Sequence, residues 1–117
     1  MVGNPPQILP IIEANHEGLP AGYAPIDSLE VKRLLEEEHS GHEHLFCPAT
    51  IDPSLEKDIH AICMKTWDAL AIRDYCRIDI RCDSTGKPYI LEVNSPAGLI
   101  PPTVSITSYL PLMARTA

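Results

Sequence analysis

No stretch of this sequence approaches the roughly 20 consecutive apolar residues that a transmembrane helix needs, so no helical membrane span is expected. The N-terminus, MVGNPPQILP, has neither a basic region nor a long apolar segment, so no secretory signal is visible and a cytoplasmic location is the expectation. Positive charge is scarce. Nine Lys and Arg face 16 Asp and Glu, a formal net charge of -7, which makes the chain a poor match for a nucleic-acid backbone. The four cysteines, Cys47, Cys63, Cys76 and Cys82, form no CxxC pair and no zinc-finger spacing with histidines. They read as reduced, mostly buried small hydrophobes. No internal repeat is present, and neither Ser95 nor Ser105 has a positioned histidine nearby that would make it a nucleophile.

What is present is a chain of 117 residues, 44% hydrophobic and 21% charged, the composition of one small globular domain. Seven of its 12 prolines fall within residues 1–53, a region with little regular periodicity. The chain opens abruptly on Gly3-Asn4-Pro5-Pro6, which points to a piece of something larger. Residues 7–13, QILPIIE, suit a short edge strand, because Pro10 forbids a central one. Residues 14–27 are loop-like. Residues 28–38 suit a helix opened by Ser28, without a capping box, with Leu29, Leu34 and Leu35 as a weak apolar stripe. Residues 39–46 are expected to be an exposed loop. Its His39, His42 and His44 stand among acids and could hold a transition metal, but a solvated charged run is the simpler expectation.

The strongest helix signal covers residues 53–71. Asp52 serves as N-cap and Pro53 as first helical residue, with Glu56 and Asp58 near the positive end of the dipole. Leu55, Ile59, Ile62, Cys63, Trp67 and Leu70 recur at steps of three and four and make one apolar face, which assigns Trp67 to core packing. A last helix is expected from about Ser105 to Arg115, interrupted by Pro111.

Residues 75–94, YCRIDIRCDSTGKPYILEVN, read as two strands around a turn in which Gly86 supplies a positive φ. Paired as an antiparallel hairpin with a four-residue loop, Ser84 to Lys87, they set Arg77 opposite Asn94, Asp79 opposite Glu92, Arg81 opposite Ile90 and Asp83 opposite Pro88. Cβ atoms of opposed residues lie about 4.5–5.5 Å apart. Asp79, Glu92 and Asn94 therefore converge beside Arg77, while Cys76, Ile78, Ile80 and Cys82 line the other, apolar face. Two opposed carboxylates repel, and burying them unpaired is worse. Two carboxylates and an amide oxygen are hard ligands suited to Mg²⁺ or Mn²⁺, and a neighbouring arginine suits a phosphoryl group. The alternative is simple pairing of Arg77 and Arg81 with the two acids on a solvated sheet face.

These residues carry a resemblance. The segment RIDIRCDSTGKPYILEVNSPAGL resembles the last catalytic segment of the D-alanine–D-alanine ligase family, within the ATP-grasp superfamily: R-x-D, an acidic–glycine turn, L-E-x-N, then a proline–glycine loop. The preceding FCPATIDPSLEKDIHAICMKTWDALAIRDY is similar to the family's C-P-A segment and the helix after it. The resemblance covers about residues 46–115, with 1–45 matching only loosely. It implies an α+β fold, an antiparallel sheet with packed helices, forming the C-terminal part of an ATP-grasp domain. Residues 1–45 would be a loop-rich lead-in and 46–117 the catalytic, metal-binding segment.

The resemblance also implies roles. Asp79, Glu92 and Asn94 fall where the family binds two magnesium ions that bridge ATP phosphates. Glu92 thereby counts toward nucleotide binding as well. Arg77 falls where an arginine steadies the transferred phosphoryl group, Gly98 where a backbone N–H serves an oxyanion, and Thr103 where a hydroxyl holds the second substrate's carboxylate. The implied activity is an ATP-dependent carboxylate–amine ligase that works through an acyl phosphate, with Mg²⁺ or Mn²⁺ as cofactor and ATP and a small amino acid or peptide as substrates. One departure is that the loop reads N-S-P-A-G, with proline one position earlier than the family pattern. Another is that the family's first lobe, glycine-rich loop and two ATP-binding lysines would precede residue 1. A fragment or split gene product is therefore expected, with that lobe or a second copy of the chain as partner. The alternatives are another ATP-grasp ligase with other substrates, and a non-catalytic remnant or interaction module.

Overall fold

The computed structural model describes residues 1–17, 19–26, 28–31, 45–100 and 108–117. It is α+β. Among the described residues the element order is β1 (Glu13–Ala14), β2 (Leu45–Phe46), α1 (Pro53–Ala69), β3 (Arg77–Cys82), β4 (Pro88–Asn94) and α2 (Tyr109–Thr116). The strands form two antiparallel two-stranded sheets, β1–β2 and β3–β4. Two compact units divide the chain: Met1–Leu9 with Ile51–Leu99 and Ala117, and Pro10–Thr50 with Ile100–Thr116. Among the described residues, no helix is long and apolar enough to cross a membrane.

The first unit is organised by α1. Asp52 caps it as expected, its carboxylate accepting from Ser54 N at 2.8 Å, and Pro53 occupies the first turn, where no N–H is needed. Ile59, Cys63 and Trp67, spaced by four, are its buried residues, and α1 lies against β4. Trp67 is 6% exposed, in keeping with a packing role. Leu70, expected on the same face, is the C-cap and is exposed.

The helix ends in a Schellman arrangement: Ile72 N donates to Trp67 O at 3.0 Å and Ala71 N to Asp68 O at 3.1 Å. Ala71 supplies the left-handed residue, φ 49°, where glycine is usual, and Ile72 and Trp67 are both buried. Beyond it, Met1–Gly3 pairs with Asp74–Cys76. Met1 N donates to Cys76 O (2.9 Å), Cys76 N to Met1 O (3.0 Å) and Gly3 N to Asp74 O (2.7 Å).

All four cysteines are free thiols. Cys63 and Cys76 are buried, and burial pushes both thiols up, which keeps them protonated. The expectation of mostly buried cysteines fails at Cys82, which is exposed where β3 reaches the turn, and Cys47 is half-buried.

In the second unit the expected strand over residues 7–13 reduces to Glu13–Ala14. Glu13 pairs with Phe46 and Ala14 with Leu45, so Leu45 and Phe46 are strand and not loop. Residues 29–31 are helical, and Ser28 Oγ accepts from Val31 N at 3.1 Å without a reciprocal acid. Val31 is fully buried and Leu29 is 66% exposed, so the expectation of Leu29 on the inward face fails. Leu34 and Leu35 lie outside the described residues, as do His39, His42 and His44. Helix α2 begins after Ser108, which places Pro111 in its first turn, where it removes no helical hydrogen bond.

Two substitutions test this account. Trp67→Ala is expected to lower unfolding free energy by about 3–5 kcal/mol in denaturant titration, the usual loss for a buried aromatic. Ala71→Gly relieves a left-handed alanine and is expected to raise it by up to about 1 kcal/mol, the αL strain less the added chain entropy.

Candidate active site on the β3–β4 hairpin

The hairpin brings four of the proposed residues together. Arg77 is opposite Asn94 and Asp79 opposite Glu92, as counting from the turn requires. The register then shifts between Asp79 and Ile80: Ile80 faces Ile90, Arg81 faces Tyr89 and Cys82 faces Pro88. The expected pairs of Arg81 with Ile90 and Asp83 with Pro88 are therefore corrected by one residue. Leu91 is the extra residue of a β-bulge, and the connecting loop runs from Asp83 to Lys87.

The bulge has a physical reason. Strict alternation would put Ile90 on the polar face with Glu92 and Asn94. The shift instead aligns Ile90 with Ile80, beside the pair of Val93 with Ile78, all four half-buried, and leaves Leu91 67% exposed. Asp83 leaves the strand pairing because its Oδ1 accepts from Thr85 N (2.8 Å), Thr85 Oγ1 (2.6 Å) and Lys87 N (3.1 Å). Gly86, at φ 83°, makes the tight turn. Lys87 Nζ lies 5.1 Å from the centre of the Tyr89 ring, a packing role for both.

At the site itself, Arg77 Nε donates to Asp79 Oδ1 at 2.7 Å and Nη2 to Asp79 Oδ2 at 2.9 Å, a two-pronged ion pair along one strand. The Asn94 amide is set by its neighbours. In the orientation that satisfies both ends, Nδ2 donates to Glu92 Oε1 and Oδ1 accepts from Arg77 Nη2, each at 3.0 Å. The four groups thus form one chain, Asp79–Arg77–Asn94–Glu92. One guanidinium stands against two carboxylates, so the cluster keeps one negative charge in excess. The Arg77 side chain is 22% exposed and that of Asp79 36%, and Glu92 is exposed, so solvent and ligands reach the face.

One spacing in the donor set suits a small hard cation. Oxygens at adjacent corners of a magnesium octahedron, with bonds of about 2.0–2.1 Å, lie about 2.9 Å apart. The Glu92 Oε1 and Asn94 amide positions are 3.0 Å apart, and each carboxylate retains lone pairs beyond those its hydrogen bonds use. Among the described residues, no group of three or more His, Cys, Asp and Glu could hold a metal, so the candidate set is two carboxylates plus this amide.

Gly98 lies in the loop after β4, exposed, with open space where a Cβ would sit. Neither its backbone nor its packing within the chain demands glycine. Thr103 lies outside the described residues. Sequence reasoning missed the Asn94 bridge and the bulge. The one signal for the bulge was the consecutive apolar run Ile90-Leu91, which breaks alternation.

Residues 29–117, which contain the whole hairpin, match the family model described as D-ala D-ala ligase C-terminus. The chain belongs to that family. A D-alanine–D-alanine ligase of Nitrosococcus oceani is 29% identical over 97 residues, 80% of this chain and 29% of its own length. An uncharacterised protein of Sinorhizobium fredii is 34% identical over 96 residues, 80% of this chain and 26% of its length. A D-alanine–D-alanine ligase of Haemophilus influenzae is 33% identical over 60 residues, 51% of this chain and 20% of its length. The chain thus spans between a fifth and three tenths of the length of these three relatives. No solved structure matches it.

The turn of this ligase-family hairpin carries a pH prediction. Hydrogen bonds from the Thr85 side chain, then from the Thr85 and Lys87 backbone, hold the Asp83 carboxyl below its ordinary value of 3.8. A carboxyl depressed by folding stabilises the fold above its unfolded pKa, and that contribution is lost as pH falls through the folded one. The Thr85 and Lys87 amide resonances are expected to move together in an acid titration below pH 3.8, and Asp83→Asn is expected to abolish the step.

Proposed function

We propose that this chain is the C-terminal segment of an ATP-grasp, ATP-dependent carboxylate–amine ligase resembling D-alanine–D-alanine ligase. The observation that carries the reading is the Arg77–Asp79–Glu92–Asn94 cluster, inside a span that matches the ligase C-terminal family. In the reaction, a carboxylate oxygen takes the γ-phosphoryl group of ATP and ADP leaves. An amine then attacks the acyl carbon, loses a proton, and expels phosphate as the amide forms. Positioning and electrostatics supply most of such a phosphoryl transfer.

Residues 46–117 carry this chemistry, and 1–45 form the lead-in. Asp79, Glu92 and Asn94 would hold Mg²⁺ or Mn²⁺, which when bound neutralises nucleotide phosphates. Arg77 would hold the transferred group by its guanidinium N–H donors. The exposed Gly98 would offer its N–H to the oxyanion of the tetrahedral intermediate, and Thr103 its hydroxyl to the second substrate's carboxylate. ATP and a small amino acid or peptide are the substrates, the family's first lobe or a second copy is the partner, and the cytoplasm is the location.

One observation favours a second reading. Arg77 already grips both Asp79 oxygens, and Asn94 ties Glu92 to it, so the hairpin is satisfied as a structural element of a non-catalytic remnant.

The two readings separate on a magnesium titration of the chain with a non-hydrolysable ATP analogue present. The ligase reading expects Asp79→Asn and Glu92→Gln each to weaken cation binding by about tenfold or more. Unchanged affinity in both variants overturns the metal assignment. If either substitution raises the melting temperature while magnesium makes no difference, the remnant reading stands.

A further inference from the structure

The amide of Asn94 has two orientations that fill the same space and reverse every hydrogen bond it makes. In one, it donates to Glu92 Oε1 and accepts from Arg77 Nη2, both at 3.0 Å. Turned by half a rotation, it sets its oxygen 3.0 Å from Glu92 Oε1 and its NH₂ 3.0 Å from Arg77 Nη2. Acceptor then faces acceptor and donor faces donor, which is repulsive at both ends. A hard cation between the two oxygens changes the sign at the Glu92 end, because the spacing is that of adjacent octahedral ligands. At the Arg77 end, donor still faces donor. There the two donors must separate, and the guanidinium has to turn its Nη2 proton toward another acceptor.

We infer that Asn94 is a two-position relay: it reads cation occupancy beside Glu92 and passes it to Arg77, which is thereby aimed at an incoming oxyanion. The inference rests on the metal-site reading above and deepens it. Asn94 acts here as a positioning residue for Arg77 as well as a ligand. Before the cation arrives, Arg77 is tied down on Asp79 and Asn94. After it arrives, the Asn94 tie is broken, and the released donor favours a phosphoryl or carboxylate oxygen. By linkage, an anion held by Arg77 must tighten the cation to the same degree.

The test is an NMR titration of the full chain, labelled at Asn and Arg nitrogens and at Glu carboxyl carbons, with Mg²⁺ alone and then with inorganic phosphate. The Glu92 carboxyl, Asn94 amide and Arg77 guanidinium signals are expected to shift with one midpoint. Phosphate is expected to raise magnesium affinity at least about fivefold, within the usual range of coupling between sites. Asn94→Asp presents an acceptor to Arg77 in either orientation. It is expected to keep the Glu92 response while losing both the Arg77 response and the phosphate effect. If Glu92 responds to magnesium in the unaltered chain and Asn94 and Arg77 do not, the relay is overturned and the metal site stands. If Glu92 itself does not respond, the metal site is overturned and the relay with it.

Discussion

The Arg77 guanidinium holds the hairpin's polar face together. Two acids directly opposed across a sheet are unfavourable, and the hydrogen bonds that join them run through Arg77. Arg77 meets Asp79 with two parallel bonds and reaches Glu92 through the Asn94 amide, so a single planar cation serves both carboxylates. A lysine in its place would supply one point charge and lose the fork. The same economy leaves the cluster one charge short of neutral on an accessible face. Structural support thus rests on the same atoms to which the proposed function assigns a cation.

That set was legible from local counting. The residues facing Asp79 and Arg77 follow from the turn once the strands are taken as antiparallel, and the pairs of Asp79 with Glu92 and Arg77 with Asn94 are found where counting puts them. Helix α1 was equally plain, because Asp52-Pro53 and a four-residue apolar spacing are local signals. The family resemblance rested on the same segment, which lies inside the family match over residues 29–117.

What escaped was whatever no local pattern encodes. The end of α1 uses alanine in a left-handed position, without the glycine that marks such a stop. The pairing of Met1–Gly3 with Asp74–Cys76 joins segments far apart in the chain, and neither carries a trace of the other. Val31 is buried and Leu29 is not, because two apolar candidates so close in the sequence do not say which faces inward. The amide of Asn94 could be placed in the site from sequence, but its bond to both Glu92 and Arg77 depends on side-chain reach.

The bulge at Leu91 divides the hairpin into two stretches of differing phase. On the open-ended side lie the acids, with Arg77 and Asn94. On the loop side lie the isoleucine pair and the Asp83 network. An irregular residue at that junction can absorb changes of twist or length arising near the loop, so drift in the connecting segment need not re-aim the carboxylates. The fold in this way permits variation at one end of a hairpin whose other end has a fixed geometry to keep, at the expense of a leucine left in water.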